Sequence, residues 1–161
     1  MIGEPRVRGR AKLLRGLADY VERLSTATPQ QIVTIERSGV PGGLPKELAR
    51  HMDVGSARMF AILGIPKATA EKKAATGEAL TGAGGLAAIG MVRLLALTKE
   101  MLATSTSSEA KGFDCAKWLG RWIERPQPSL GGRAPAEFLD TPTGVEIVAR
   151  LMRSIESGAY Q

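Results

Sequence analysis

Two residue types that supply much of protein chemistry are nearly missing. There is one cysteine, Cys115, and one histidine, His51. A lone cysteine excludes an internal disulfide. One of each leaves no Cys/His zinc set and no choice of members for a Ser-His-Asp triad. Paired carboxylates at catalytic spacing are missing too, so no acid–base constellation offers itself, and the chain reads as a non-enzyme with neither metal nor cofactor. Both lone residues fit structural places, Cys115 inside an apolar helical pattern and His51 at a helix end. Aromatics are only 4% of the chain, so the core must be built from Leu, Ile, Val, Met and Ala, which suits helix packed on helix better than pleated sheet. The longest apolar run, Leu86 to Val92, stops at Arg93, short of the roughly 20 residues a bilayer requires. With no secretory segment at the start, a cytoplasmic protein without membrane contact is expected.

What is present describes a foldable chain. Its 161 residues are 43% apolar and 24% charged, the composition of a globular protein and enough for one ordinary domain or two small helical units. The net charge of +6 is unevenly placed: residues 1 to 75 carry thirteen Lys/Arg against seven Asp/Glu, whereas residues 76 to 161 carry nine of each. The first half would attract a polyanion such as DNA, and the second must find partners by shape and apolar contact. The division expected is a basic N-terminal unit, residues 1–85, followed by a second unit, residues 86–161.

Apolar spacing predicts a helix from Arg10 to Leu24, with Leu13, Leu14, Leu17, Tyr20, Val21 and Leu24 on one face. Arg6, Arg8, Arg10, Lys12 and Arg15 lead into it as a DNA-reaching arm or a solvated tail. Further helices follow from Pro29 to Arg37 and from Pro45 to Met52, separated by a Pro41-Gly42-Gly43 loop. Ser56 to Leu63, the turn Gly64-Ile65-Pro66 and Lys67 to Ala75 then form helix, glycine turn, helix. That is the helix-turn-helix order, with Phe60, Leu63 and Ile65 packing the elbow. Lys67, Thr69, Lys72 and Lys73 would face a major groove or its flanking phosphates. Gly77 to Gly85 reads as a flexible connector. Its Gly82-Ala-Gly-Gly-Leu-Ala87 matches a dinucleotide fingerprint, but that motif needs a strand ahead of it in a parallel sheet, and no strand is expected there.

A long apolar helix from Leu86 to Leu102 is expected to be a buried organiser and a possible pairing surface for a homodimer. A helix from Glu109 to Glu124 carries Phe113, Trp118 and Trp122, aromatics close enough to be a core keystone or an interface anchor. The most specific text comes next. Pro126 and Pro128 stop the helix, Leu130 follows as an apolar plug, Gly131-Gly132 turns the chain before Arg133, and Pro135 starts a short helix through Leu139. Asp140 or Thr141 caps a final helix whose apolar face is Val145, Val148, Leu151, Met152 and Ile155. Gly158 ends it, leaving a tail to Gln161.

This order of elements resembles the toxin-binding domain of the Xre, ParS and MbcA antitoxins. There a Trp-Leu pair, a Pro-containing turn, Leu-Gly-Gly-Arg-x-Pro, Leu-Asp-Thr and a terminal helix ending in Gly follow one another. The residues carrying it here are Trp118, Leu119, Pro126, Leu130, Gly131, Gly132, Arg133, Pro135, Leu139, Asp140, Thr141, Gly144, Leu151, Ile155 and Gly158. The helix-turn-helix region agrees more loosely with the Xre-like N-terminal domain. Where relatives often have arginines after the turn, this chain has Glu71, Lys72 and Lys73, which favours phosphate contact over bidentate base reading.

The resemblance implies an all-α fold, an Xre-like helix-turn-helix unit before a small toxin-binding unit, and a type II antitoxin function. It implies a partner toxin of the RES type that consumes NAD, by degrading it or by ADP-ribosyl transfer. It further implies that the antitoxin covers the toxin's NAD pocket with its last helix and tail. Arg133, Arg150, Arg153, Gly158, Ala159, Tyr160 and Gln161 would then touch the toxin. Tyr160 could stack where a nucleobase or nicotinamide lies, and the terminal carboxylate could meet pyrophosphate-binding arginines. Operator DNA and a homodimer within a larger toxin–antitoxin complex complete the expected partners. A stand-alone helix-turn-helix regulator explains the basic half equally well, but not the C-terminal signature.

Overall fold

The computed structural model describes residues 13–104 and 112–158, and these form eight α-helices and one two-stranded pair. In order they are α1 Leu17–Thr26, α2 Pro29–Ser38, β1 Val40–Pro41, α3 Leu44–Met52, α4 Ser56–Leu63, α5 Lys67–Thr76, β2 Ala79–Leu80, α6 Gly82–Ala103, α7 Cys115–Trp122 and α8 Pro142–Glu156. Short 3-10 turns at Pro128–Leu130 and Pro135–Phe138 stand between α7 and α8. The fold is all-α, as composition and periodicity predict. No helix among the described residues is long and apolar enough to cross a membrane.

Local chemistry sets most boundaries. Helix α2 starts in a capping box: the Gln31 N–H donates to Thr28 Oγ1 at 3.3 Å and the Thr28 N–H donates to Gln31 Oε1 at 2.9 Å, which satisfies two otherwise unpaired donors. Helix α4 ends where Gly64 takes φ +68°. That conformation suits a residue without Cβ, and it lets the Ile65 N–H reach back to the Phe60 carbonyl at 2.9 Å.

Four expectations from spacing need correction. The first helix begins at Leu17 rather than Arg10, because Glu47 of α3 takes the Leu17 N–H at 3.0 Å and closes the helix start from outside. Leu13 and Leu14 precede it, half-buried. The loop at residues 41–43 and the connector at 77–85 are more ordered than expected, since Val40 pairs with Leu80 and Pro41 with Ala79 in an antiparallel ladder. A strand therefore does precede the Gly82–Ala87 fingerprint, but an antiparallel two-residue one. The glycines form the opening turn of α6, where a Cβ at Gly84 would lie 2.9 Å from Ile65 Cγ1 and one at Gly85 2.6 Å from the Leu80 carbonyl. The helix expected from Glu109 instead begins at Cys115, where Asp114 accepts the Lys117 N–H at 3.0 Å; residues 109–111 lie outside the described residues.

The fourth correction concerns α6. It starts at Gly82, and twelve of its residues are buried, Ile89, Met91, Val92, Leu94 and Leu95 almost completely. Helices α1, α7 and α8 pack around it, so most of its apolar surface is covered within the chain, with Leu86, Met101 and Leu102 left half-buried. The crossing with α8 is close: a Cβ on Gly90 would lie 2.6 Å from Val145 Cγ2. The hydrophobic core is one cluster from Leu17 to Met152 and runs without a break across residue 85.

Candidate functional site

Two surfaces carry the residues singled out above, and the core ties them together. On the first, α4, the Gly64 turn and α5 form the expected corner. Phe60, Leu63 and Ile65 are buried in its elbow. Ala70 points inward from α5, whereas Lys67, Thr69 and Lys72 are exposed. Lys73 departs from expectation: it is half-buried, and its ammonium holds the Glu78 carboxylate at 2.9 Å. That contact depresses the Glu78 pKa below the usual carboxylate range. Glu71 is likewise engaged, by Lys46 of α3 at 2.7 Å. The corner's basic excess is thus partly neutralised inside the chain. Arg6, Arg8, Arg10 and Lys12 lie outside the described residues, and Arg15 is exposed.

The second surface is built by the segment from Phe113 to Gly158. Trp118 and Trp122 stack at 5.8 Å between ring centroids, 14° from parallel, and Phe113 lies 6.5 Å from Trp118. The three form a ladder from inside to outside: Trp122 is buried, Trp118 half-buried and Phe113 42% exposed. Trp122 is thus a core residue, Trp118 packs against the edge of the core, and Phe113 extends outward from it. Leu119 and Leu139 are fully buried. Cys115 is buried, and desolvation raises its thiol pKa, as an inert structural cysteine requires.

Beyond α7 the backbone folds into a closed loop. The Gln127 N–H donates to the Arg133 carbonyl, and the Gly132 N–H donates back to the Gln127 carbonyl, both at 3.0 Å. Gly131 and Gly132 take φ +67° and +80° with open space around them, so backbone conformation rather than crowding requires glycine there. Leu130 rests half-buried on the core, while Pro126 is exposed. The Ala136 N–H bonds the Ile123 carbonyl at 2.8 Å and fastens the Pro135 turn to the end of α7. Of the two cap candidates, Thr141 serves: its Oγ1 accepts the Gly144 N–H at 3.0 Å. Asp140 lies on the helix-turn-helix instead, its Cβ 3.0 Å from where a Cβ on Gly64 would stand.

Arg133 is exposed but already occupied. Its Nε lies 3.4 Å from Glu137 Oε1, and its guanidinium sits 4.8 Å from the centroid of the Phe138 ring. Glu137 also accepts the Ala134 N–H at 2.9 Å, which is the main reason its pKa falls, with Arg133 adding to it. Arg150 and Arg153 are exposed on α8, and neither forms an ion pair among the described residues. Ile155, assigned to the buried face from spacing, is 40% exposed, and Ile147, not singled out from the sequence, is 38% exposed. Ile147 was detectable as an apolar residue off the face set by Val145, Val148 and Met152. Gly158 takes φ +67° just past the helix; Ala159, Tyr160 and Gln161 lie outside the described residues.

A further residue escaped sequence reasoning altogether. Arg58 of α4 donates through Nε and Nη2 to both oxygens of Glu124, at 2.9 and 3.0 Å, and this hydrogen bonding raises the guanidinium pKa. The pair spans 66 positions, which no local pattern could reveal. It links α4 to the turn that follows α7.

Comparison with known proteins agrees with this second surface. Residues 113–158 match the family model of the antitoxin Xre/MbcA/ParS C-terminal toxin-binding domain. Over 137 residues, 85% of either chain, the sequence is 32% identical to the Prs ADP-ribosylating antitoxin of Sphingobium sp. (strain YBL2).

Proposed function

The chain belongs to the antitoxin family that carries the Xre/MbcA/ParS toxin-binding domain, and on that premise we propose that it neutralises an NAD-consuming toxin of the RES type. The toxin is met by the outer face of α8 and the tail beyond it. The observation carrying this reading is the outer side of α8: Ile147 stands exposed one turn before Arg150, Arg150 and Arg153 form no ion pair among the described residues, and Ile155 is exposed near the helix end. An exposed isoleucine next to arginines without an ion pair among the described residues suits a partner that is apolar with an acidic rim. The rigid base beneath them, formed by the Thr141 cap and the Gly90–Val145 crossing, limits the ordering cost of binding. Gly158, Ala159, Tyr160 and Gln161 continue from α8 into the toxin's pocket. The name of the Sphingobium relative supports NAD chemistry, since ADP-ribose transfer consumes NAD.

The same chain binds operator DNA through α5 and represses its own operon, with Lys67, Thr69 and Lys72 in contact. It does so as a homodimer within a larger complex with the toxin, paired through a surface other than α6. Lys67 and Lys72 are exposed and form no ion pair among the described residues, which supports phosphate contact.

Coexpression with a RES-type toxin tests the neutralisation. The wild-type chain restores growth and cellular NAD. Truncation after Gly158, or the pair Ile147→Asp and Arg150→Glu, abolishes rescue while the circular dichroism spectrum is retained. Full rescue by both variants would overturn the α8-and-tail interface, and NAD left unrestored by the wild-type chain would overturn the RES assignment.

A further inference from the structure

The side of α5 turned away from the core is lined by methyl groups around one ammonium. Around the helix, Ala68 and Ala75 fall on one edge of this arc, Thr69 and Thr76 on the other, and Lys72 between them, all exposed. The longer hydrogen-bonding side chains at the flanks are engaged elsewhere, Glu71 with Lys46 and Lys73 with Glu78. The Thr76 hydroxyl donates to the Lys72 carbonyl at 3.0 Å and accepts the Glu78 N–H at 3.3 Å. No Arg, Asn or Gln occurs between Lys67 and Thr76. The bidentate contacts that single out guanine or adenine through a planar fork or an amide are therefore absent from this helix.

One major-groove feature is read by apolar contact, the 5-methyl group of thymine. In a helix-turn-helix the N-terminal residues of the second helix meet the base edges, and here the exposed ones are Lys67, Ala68 and Thr69, of which Ala68 and Thr69 lie on the outward arc. Their small side chains also let the helix axis come close to the groove floor. Resting on the reading that α5 enters a major groove, we propose that this chain selects its DNA site through thymine methyl groups packed against Ala68 and the Thr69 methyl. Ala75 flanks them, Lys72 supplies a donor to the facing acceptor edge, and Lys67 sits on phosphate.

The full-length chain is used to select duplexes from a random 24-base-pair library at low salt. Each thymine shared by the enriched sites is then replaced by deoxyuridine, which keeps the pairing and the O4 acceptor but lacks the methyl. Each contacted thymine so replaced weakens binding about three- to fourfold, the worth of one buried methyl. Thr69→Ser abolishes the sensitivity at one thymine, whereas Thr69→Val preserves it. Enriched sites that tolerate deoxyuridine throughout would overturn the methyl readout while leaving DNA binding in place. A library from which no duplex is retained would overturn the groove reading itself, and this inference with it.

Discussion

The space a side chain on Gly120 would fill is taken by the carbonyl oxygen of Met52: a Cβ at Gly120 would lie 2.2 Å from it. This contact sets α7 against the C-terminal end of α3 and joins the helix-turn-helix half of the chain to the signature half. A methyl group there must push backbone away from backbone. Gly120→Ala is expected to cost at least the roughly 1–3 kcal/mol of an overpacked core. Chemical denaturation followed by tryptophan fluorescence and by circular dichroism checks it, with one shared, lowered midpoint expected because the core is continuous. An unchanged midpoint would mean that the two halves are not fastened at this point.

The α6–α8 crossing offers a quantitative test. Gly90→Ala gains helix propensity of about 1 kcal/mol but places a Cβ 2.6 Å from Val145 Cγ2, so net destabilisation is expected. Val145→Ala alone loses buried methyl groups and costs on the order of 1–2 kcal/mol. Together the two changes relieve each other. The double-mutant cycle is therefore expected to show a favourable coupling of about 1 kcal/mol or more, and simple additivity would count against the close crossing.

Glu137 provides a pH signature. Its carboxylate accepts the Ala134 N–H and faces Arg133, so its folded pKa lies below the ordinary 4.5. A depressed folded value means that its contribution to stability is present above pH 4.5 and is lost as pH falls through the folded pKa. The stability difference between the wild-type chain and Glu137→Gln should accordingly shrink on acidification below that point. A carbon-detected NMR titration reads the pKa directly. Arg133→Gln should raise it only in part, because the backbone donor remains.

Lys72 and Lys73 are adjacent in sequence but not equivalent. Lys72→Gln should lower the slope of log K against log salt by about 0.9, whereas Lys73→Gln should change the slope less, since Glu78 already neutralises Lys73. Fluorescence anisotropy with a DNA duplex across a salt series separates the two. Equal changes would show that the Lys73–Glu78 pair opens on DNA.

Sequence alone determined that the helices exist, where most of them lie, and the signature, because these rest on interactions within four or five residues, whereas the start of α1 is closed by Glu47 from α3. The apolar period, the prolines, Gly64 and the Thr141 cap act locally and can be read locally. The Trp-Leu, Leu-Gly-Gly-Arg-x-Pro and Leu-Asp-Thr text revealed the antitoxin family for the same reason. Tertiary structure decided which charges remain available and where the two halves meet. Glu71 of α5 is bound by Lys46 of α3, Arg58 finds Glu124 across 66 positions, and α6 loses its apolar face to helices from both ends of the chain. Formal charge and amphipathic pattern count residues without regard to partners, and a partner distant in sequence is assigned only when the core brings the two together.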